Sequence, residues 1–216
     1  VGDDEKGLVI FIGEEPHMRI DRYAETLFSA VEALGVKRVG AVGGVYGSIP
    51  YDRDREVSCA YSLPTMKDEL SRYAVRFSDY EGGSTIGTYL VDGAEQHGIE
   101  FFVFYAFVPA YNFGDVSEMV QGISIEHDFK AWYDVMRRLN HMADLNIDLS
   151  ELEEQSYDLM VSMDAKIEEL VEQMPDVDVR AYLEEVADDY EAKPFVPPLS
   201  DVWGKAIGNL LNDDDV

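Results

Sequence analysis

The sequence is poor in cysteine, in basic residues and in long apolar runs. Cysteine occurs once, as Cys59, so no disulfide can form within the chain, and this usage fits a reducing compartment. The longest apolar stretch, Phe101–Pro109, is too short to span a bilayer. No charged-then-apolar signal segment opens the chain. We therefore expect a cytoplasmic protein that does not associate with membranes.

Basic residues are strongly outnumbered by acidic ones. The 216 residues include 17 Lys and Arg against 44 Asp and Glu, a formal net charge of −27. Such a surface repels phosphate backbones and anionic membranes, so nucleic acid is not an expected partner. The excess favours protein partners with basic patches, but it also occurs in salt-adapted organisms, and composition alone does not separate these causes.

The first half of the chain alternates strand and helix patterns. Leu8–Ile12 is a short apolar run typical of a buried strand. Apolar residues then recur at helical spacing from 20 to 34, and a second strand, Val39–Val42, ends at Gly43-Gly44. Strand, helix and strand in this order predict a βαβ unit with a parallel sheet and a right-handed crossover.

The remaining elements complete an α/β pattern with a helical end. Further strands are predicted at Val57–Tyr61, Tyr73–Phe77 and Ile99–Val108, and helices at Pro64–Leu70, Ile86–Gln96, Phe129–Met142, Leu152–Met174 and Val179–Tyr190. Ser150 is the expected N-cap of the longest helix. We divide the chain into an α/β core, residues 1–145, and a helical extension with an acidic tail, residues 146–216.

The segment Glu14-Glu15-Pro16-His17 follows the first predicted strand. Glu14 or Glu15 with His17 could form a general acid and base pair at a strand end, where open α/β sheets place their sites. The structural interpretation is a turn whose acidic groups lie near the next helix N-terminus. We favour the turn, because position in a fold does not by itself confer function.

Two glycine-rich segments raise the question of phosphate binding. Residues 43–47 match neither GxGxxG nor GxxxxGK[ST] and are interpreted as a glycine turn. Residues 82–87 lead into a helix and could hold an anion on free N–H groups, but are interpreted as a loop with a cap. The four histidines show no zinc-ligand spacing. No cofactor, metal or catalytic residue is therefore assigned.

Several short motifs follow one another in a characteristic order over residues 8–175. They are Gly13-Glu14-Glu15-Pro16-His17 with Arg19, Tyr23-Ala24, Gly35-Val36-Lys37-Arg38-Val39, Gly43-Gly44-Val45, Tyr80-Glu81-Gly82-Gly83, Gly87, His97-Gly98-Ile99-Glu100, Val108-Pro109 and Leu149-Ser150-Glu151-Leu152-Glu153-Glu154. In this order and spacing, the sequence resembles the proteasome assembly chaperone 2 family.

The resemblance implies a fold and a role. The implied fold is a three-layer α/β/α sandwich with a mainly parallel sheet, of the phosphorylase/hydrolase-like kind, plus a C-terminal helical portion. The implied role is that of a protein that self-associates, for example as a trimer, and binds proteasome α subunits without catalysing a reaction. Family members usually carry an earlier strand and glycine-rich loop, so we expect an upstream segment to be missing. The ending Asp214-Asp215-Val216 lacks the hydrophobic-tyrosine-any-residue pattern of some proteasome-binding tails.

Our leading hypothesis is a non-enzymatic, homo-oligomeric scaffold or chaperone that binds protein partners. The alternative is a small-molecule hydrolase or phosphorylase that uses the same strand-end loops as a pocket. In either case, we expect the functional residues to form a binding rim at the strand ends. This predicted rim consists of Glu14, Glu15, His17, Arg19, Gly44, Tyr46, Glu81, Gly83, Thr85 and Tyr111.

Overall fold

A computed structural model of the chain describes residues 7–77, 85–112, 123–173, 175, 177–191, 193 and 195. The helices are α1 (Ile20–Ala33), α2 (Lys67–Leu70), α3 (Ile86–His97), α4 (Phe129–Met142), α5 (Ser150–Gln173) and α6 (Val179–Asp188). The strands are β1 (Arg38–Gly47), β2 (Val57–Tyr61), β3 (Arg76–Phe77), β4 (Glu100–Tyr111) and β5 (Ile123–Ser124). Within these residues, no helix is both long and apolar enough to cross a membrane.

The strands form one sheet with β4 at its centre. The order is β1-β4-β2-β3, and β5 pairs with the end of β4. The longest ladder, β1 with β4, is parallel and runs from Arg38↔Glu100 to Gly47↔Pro109. β2 pairs with β3 in parallel and with β4 in antiparallel orientation. The α/β class is confirmed: a central sheet is flanked by helices.

Helices cover both faces of β4 because successive side chains of a strand point to opposite sides. Phe101 and Val103 pack with residues of α1 and α3. Phe102 and Phe104 pack on the other face with residues of α4. A third cluster lies at the carboxyl end of β4, where α5 and α6 pack on Tyr111. The main apolar stripe of α5 is thus buried within its own chain.

The predicted strand Leu8–Ile12 is wrong. Within the described chain, residues 8–12 form no strand, and their side chains are exposed, up to 90% for Ile12. The ring of Phe11 lies beside that of Tyr23 on α1, at 6.5 Å between centroids. The predicted βαβ unit is therefore absent, because an apolar run becomes a strand only where a neighbouring strand supplies its hydrogen bonds.

The glycine turn predicted at residues 43–47 is also wrong, because β1 continues to Gly47. Its glycines make room for aromatic rings of β4. A Cβ on Gly40 would lie 2.6 Å from the ring of Phe102, and one on Gly43 would lie 3.0 Å from the ring of Tyr105. Glycine in this strand marks close approach of a neighbour, not a reversal of the chain.

Two further expectations need correction. Only Arg76–Phe77 of the predicted strand Tyr73–Phe77 is extended, because Ser71–Tyr73 forms a 3-10 turn that Ala74 ends with a left-handed backbone, φ 50°. Arg138 donates hydrogen bonds to the Tyr73 and Ala74 carbonyls at 2.9 and 3.5 Å. Ser150 is the first residue of α5, not its cap, and the Asp148 carboxylate accepts from its N–H at 3.0 Å. The predicted strand Val57–Tyr61 is confirmed.

We expect the thiol of the single cysteine to be unreactive towards alkylating reagents in the folded protein. Cys59 is buried in β2, and burial raises the pKa of its thiol to about 12. Because the thiolate is the reactive form, iodoacetamide at pH 8 should label Cys59 only after denaturation. Mass spectrometry of labelled native and urea-unfolded protein tests this, and substantial native labelling would contradict the burial.

Candidate functional site

One part of the predicted rim lies at the start of α3. Thr85 is the N-cap: its hydroxyl accepts from Thr88 N–H at 3.2 Å, and the Thr88 hydroxyl accepts from Thr85 N–H at 3.0 Å. The carboxylate of Glu15 accepts from Ile86 N–H at 3.3 Å. The predicted loop and cap are thus confirmed at Thr85, and an acidic residue of the Glu-Glu-Pro-His segment lies at a helix N-terminus. The turn interpretation predicts that these acidic groups lie near the N-terminus of the next helix along the chain, which is α1. Glu15 instead binds the N-terminus of α3.

Tyr105 joins this helix start to the sheet, although sequence reasoning missed it. The Thr85 and Tyr105 hydroxyls are 2.6 Å apart. The Tyr105 ring lies between two glycines, since a Cβ on Gly43 would be 3.0 Å from the ring and one on Gly87 would be 2.2 Å from its hydroxyl. The two glycines were the available signal, but their partner residue could be identified only from the fold.

Gly44 and Tyr46 lie on the other face of β1. Exposure alternates along the strand, with Gly40, Val42, Gly44 and Tyr46 more exposed than the residues between them. The Tyr46 side chain is 62% exposed, and its hydroxyl donates to the Ile125 carbonyl at 3.5 Å. The structure therefore divides the predicted rim between the two faces of the sheet.

The other residues of the first rim segment are exposed. Glu14, His17 and Arg19 face solvent, and Arg19 has a left-handed backbone, φ 55°, just before α1. Among the residues that the structure describes, His17 forms no hydrogen bond or ion pair with Glu15, which binds α3 instead. Glu81 and Gly83 lie outside the described residues.

Tyr111 is buried and belongs to a separate cleft. Its side chain is only 2% exposed, and its hydroxyl donates to the Ile49 carbonyl at 2.8 Å. Burial raises the pKa of the Tyr111 hydroxyl above its usual value. Tyr111 lines a cleft of about 310 Å³ between the turn after β1, α5 and α6. The polar residues that line the cleft are Tyr51, Asp52, Asp164, Glu168, Arg180 and Glu184.

Two polar pairs lie within the cleft wall. The Tyr51 hydroxyl donates to Asp164 at 2.5 Å, and burial together with this carboxylate raises the pKa of Tyr51. Arg180 pairs with Glu168 at 2.6 Å. Four carboxylates against one guanidinium give the cleft a negative potential, which disfavours phosphate and other anions.

A buried charge cluster supports the turn that forms one wall of this cleft. The fully buried guanidinium of Arg55 pairs with Asp128 at 2.8 Å. The same guanidinium donates to the carbonyls of Pro50, Tyr51 and Arg53 at 3.3, 2.9 and 2.9 Å. These bonds fix the backbone that carries Tyr51.

Asp134 on α4 extends the cluster. It accepts from the backbone N–H of Arg55 at 2.7 Å and from Lys130 Nζ at 2.8 Å. No group of three or more histidine, cysteine or acidic side chains suited to a metal ion occurs in the part of the chain that the structure describes.

Comparison with known proteins agrees with this architecture. The PAC2 family model matches residues 1–171, and the chain belongs to the PAC2 family, as its motif order indicates. A PAC2 family protein from Streptomyces avermitilis is 26% identical and superposes with a TM-score of 0.62, covering 79% of this chain and 63% of that one.

Two further structures share the fold at lower identity. A proteasome-assembly chaperone homologue from Mycobacterium tuberculosis is 22% identical, with a TM-score of 0.57 over 70% of this chain and 58% of that one. An archaeal homologue of proteasome-assembly chaperone from Pyrococcus furiosus is 18% identical, with a TM-score of 0.51 over 77% and 64%. The chain thus spans less than two thirds of each of these structures. No curated protein matches the sequence significantly.

Proposed function

We propose that this chain is a non-enzymatic, chaperone-like scaffold that self-associates and binds protein partners, with proteasome α subunits as the first candidates. The observation that carries the proposal is membership of the PAC2 family over residues 1–171. Structures with the same fold include proteasome-assembly chaperone homologues. A cytoplasmic location fits this role.

The exposed surface near β1 supplies a contact site of suitable chemistry. Tyr46 and Trp132 are large aromatic side chains with high exposure, and such residues dominate the binding energy of protein interfaces. Both contact the same short segment of the chain. The Tyr46 hydroxyl donates to the Ile125 carbonyl, and the ring of Trp132 lies 6.0 Å from that of His127. The net charge of −27 selects partners with basic surfaces and accelerates their association.

The geometry gives the hydrolase or phosphorylase alternative less support than it gives the scaffold. A general base must be oriented by a partner and held near the reacting proton, whereas Glu15 binds the α3 N-terminus and the His17 side chain is exposed. The negative lining of the cleft is also unsuited to a phosphate co-substrate.

We test the proposal by binding tagged protein to purified proteasome α subunits and measuring the complex on native gels and by biolayer interferometry. Replacing Tyr46 by Ser should weaken binding by about tenfold or more, as expected when an aromatic anchor is lost. The matched control is Tyr157→Ser on α5, because the two tyrosines are equally exposed, at 62% and 63%. The control should bind like the parent protein.

Two results would contradict the proposal. One is no binding of the parent protein to α subunits at any salt concentration tested. The other is turnover of nucleosides, esters or amides that His17→Ala abolishes.

A further inference from the structure

The cleft beside Tyr111 lies where α/β folds usually bind ligands. One of its walls is the turn at residues 50–52, which follows β1, and Tyr111 is the last residue of β4. These two strands run in parallel, so the carboxyl ends of both lie at the cleft. Ligands of open α/β sheets bind in the crevice outside such strand ends. Position alone does not identify a ligand, but the lining of this cleft restricts the chemistry of what it can hold.

Three hydrogen bonds hold the walls of the cleft in place. The buried Arg55 guanidinium donates to the Tyr51 carbonyl at 2.9 Å. The Tyr111 hydroxyl donates to the Ile49 carbonyl at 2.8 Å. The Tyr51 hydroxyl donates to Asp164 of α5 at 2.5 Å, which joins the turn to the helix. The cleft is therefore preformed, as small-molecule sites usually are.

The interior of the cleft contains apolar surface and is small. Tyr111 and Ile167 are almost fully buried, and they line the cleft together with Leu183 and Ala187. The volume of about 310 Å³ is at the lower end of the range for small-molecule sites, about 300–1,000 Å³. The cleft therefore suits a small ligand that has an apolar part.

The charges around this surface determine the sign of the ligand. The carboxylates that line the cleft are those of Asp52, Asp164, Glu168 and Glu184, and the one guanidinium, Arg180, pairs with Glu168 at 2.6 Å. Within the described chain, the carboxylate of Glu184 forms no ion pair or hydrogen bond. Clefts with low-dielectric walls focus the field of such charges. A cationic ligand is therefore favoured.

The arrangement of the carboxylates favours an organic cation over a metal ion. Among the residues that the structure describes, no three acidic side chains converge closely enough to hold a metal ion, which needs several oxygen ligands around one point. An alkylammonium or alkylguanidinium ion needs a carboxylate beside its charge and apolar surface along its chain. The cleft supplies both features.

We propose that this cleft binds a small organic cation in which an ammonium or guanidinium group is carried on an alkyl chain. The chain packs on Ile167 and Leu183, and the charged group lies beside Glu184 and the neighbouring carboxylates. Two sources share this chemistry: a free alkyl diamine, and a lysine or arginine side chain of a partner protein. The proposal does not rest on the proposed function, because it is tested with this chain alone.

The test is a titration of the full chain with putrescine, an alkyl diamine, at constant ionic strength. The methyl NMR signals of Ile167 and Leu183 report on the cleft. We expect saturable shifts of these signals. Butanediol, a neutral molecule of the same length, should cause no saturable shift, because it lacks the charge that the carboxylates select.

A pair of neighbouring glutamates on α6 separates binding in the cleft from general attraction to an acidic protein. Glu184→Gln should raise the dissociation constant of putrescine by about three- to fivefold, the effect expected of one partly exposed charge pair. Glu185→Gln removes the same charge one residue away, outside the cleft lining, and should leave the dissociation constant unchanged. Ala187→Phe fills the cleft without a change of charge and should weaken binding by about tenfold or more. Circular dichroism checks that each variant is folded.

A second titration distinguishes the two sources. N-acetyl-lysine methylamide carries one ammonium group on the alkyl chain of a protein lysine. If putrescine binds more than about tenfold tighter than this derivative, the ligand is a free diamine. A smaller ratio assigns the cleft to a basic side chain of a partner protein. Either result supports the site.

Three results would overturn the proposal. They are no saturable shift of the two methyl signals, equal weakening by Glu184→Gln and Glu185→Gln, and equal binding of butanediol and putrescine. None of these results involves α subunits, so a failed ligand site and a failed partner assay are distinguishable.

Discussion

Replacing Arg55 by Met should lower the free energy of unfolding by about 3–5 kcal/mol, the usual cost of leaving one member of a buried ion pair without its partner. The Asp128 carboxylate would stay buried without its guanidinium. Three carbonyls of the turn before Arg55 would lose their donor as well. Urea unfolding followed by circular dichroism should show a lower midpoint with an unchanged slope.

A matched control lies two residues away. Arg53 is exposed and pairs with Asp52 at 3.7 Å, so Arg53→Met should change stability by no more than about 0.5 kcal/mol. The double variant Arg55→Met with Asp128→Leu should be more stable than Arg55→Met alone, because it removes the unpaired carboxylate. It keeps a penalty of about 1 kcal/mol, because Asp128 also caps α4 through Ala131 N–H. Equal stability of Arg55→Met and Arg53→Met would show that the buried pair is not essential.

Local signals correctly predicted the parts of this fold that depend on neighbouring residues. The sequence predicts a helix over Ile86–Gln96 between a cap and Gly98, and α3 follows the cap Thr85 and ends before Gly98, whose φ is 65°. These features need only side chains and backbone within one turn. The same holds for α4, whose apolar residues recur at helical spacing.

The wrong predictions concern residues whose structure is decided by distant partners. Leu8–Ile12 and β1 both contain short apolar runs, but only β1 has β4 beside it. Residues 43–47 indicate a turn from the sequence alone, because the ring that Gly43 accommodates, Tyr105, lies about sixty residues further along the chain. The cleft was missed for the same reason, since Tyr51, Asp164 and Arg180 are brought together only by folding.

Replacing Gly87 by Ala tests the packing around Tyr105, because it has two opposing effects on the free energy of unfolding. The direction of the net change shows which effect is larger. Gly87 lies in the first turn of α3, where an unobstructed change from Gly to Ala stabilises by at most the roughly 1 kcal/mol of a helix interior. Here the new Cβ would lie 2.2 Å from the Tyr105 hydroxyl and 3.2 Å from its Cζ. We expect the clash to prevail and Gly87→Ala to destabilise the protein by about 1–3 kcal/mol, as overpacking does.

Removing the Tyr105 hydroxyl should relieve that clash. Tyr105→Phe alone should cost about 1 kcal/mol, because it breaks the 2.6 Å contact with the Thr85 cap. The pair Gly87→Ala with Tyr105→Phe should therefore be more stable than the sum of the two single losses, and urea unfolding of all four proteins measures this coupling. Stabilisation by Gly87→Ala alone would mean that the ring can withdraw freely. In that case, the tyrosine would not fix the start of α3 against the sheet, and Glu15 and Thr85 would lack the rigid support that a binding rim requires.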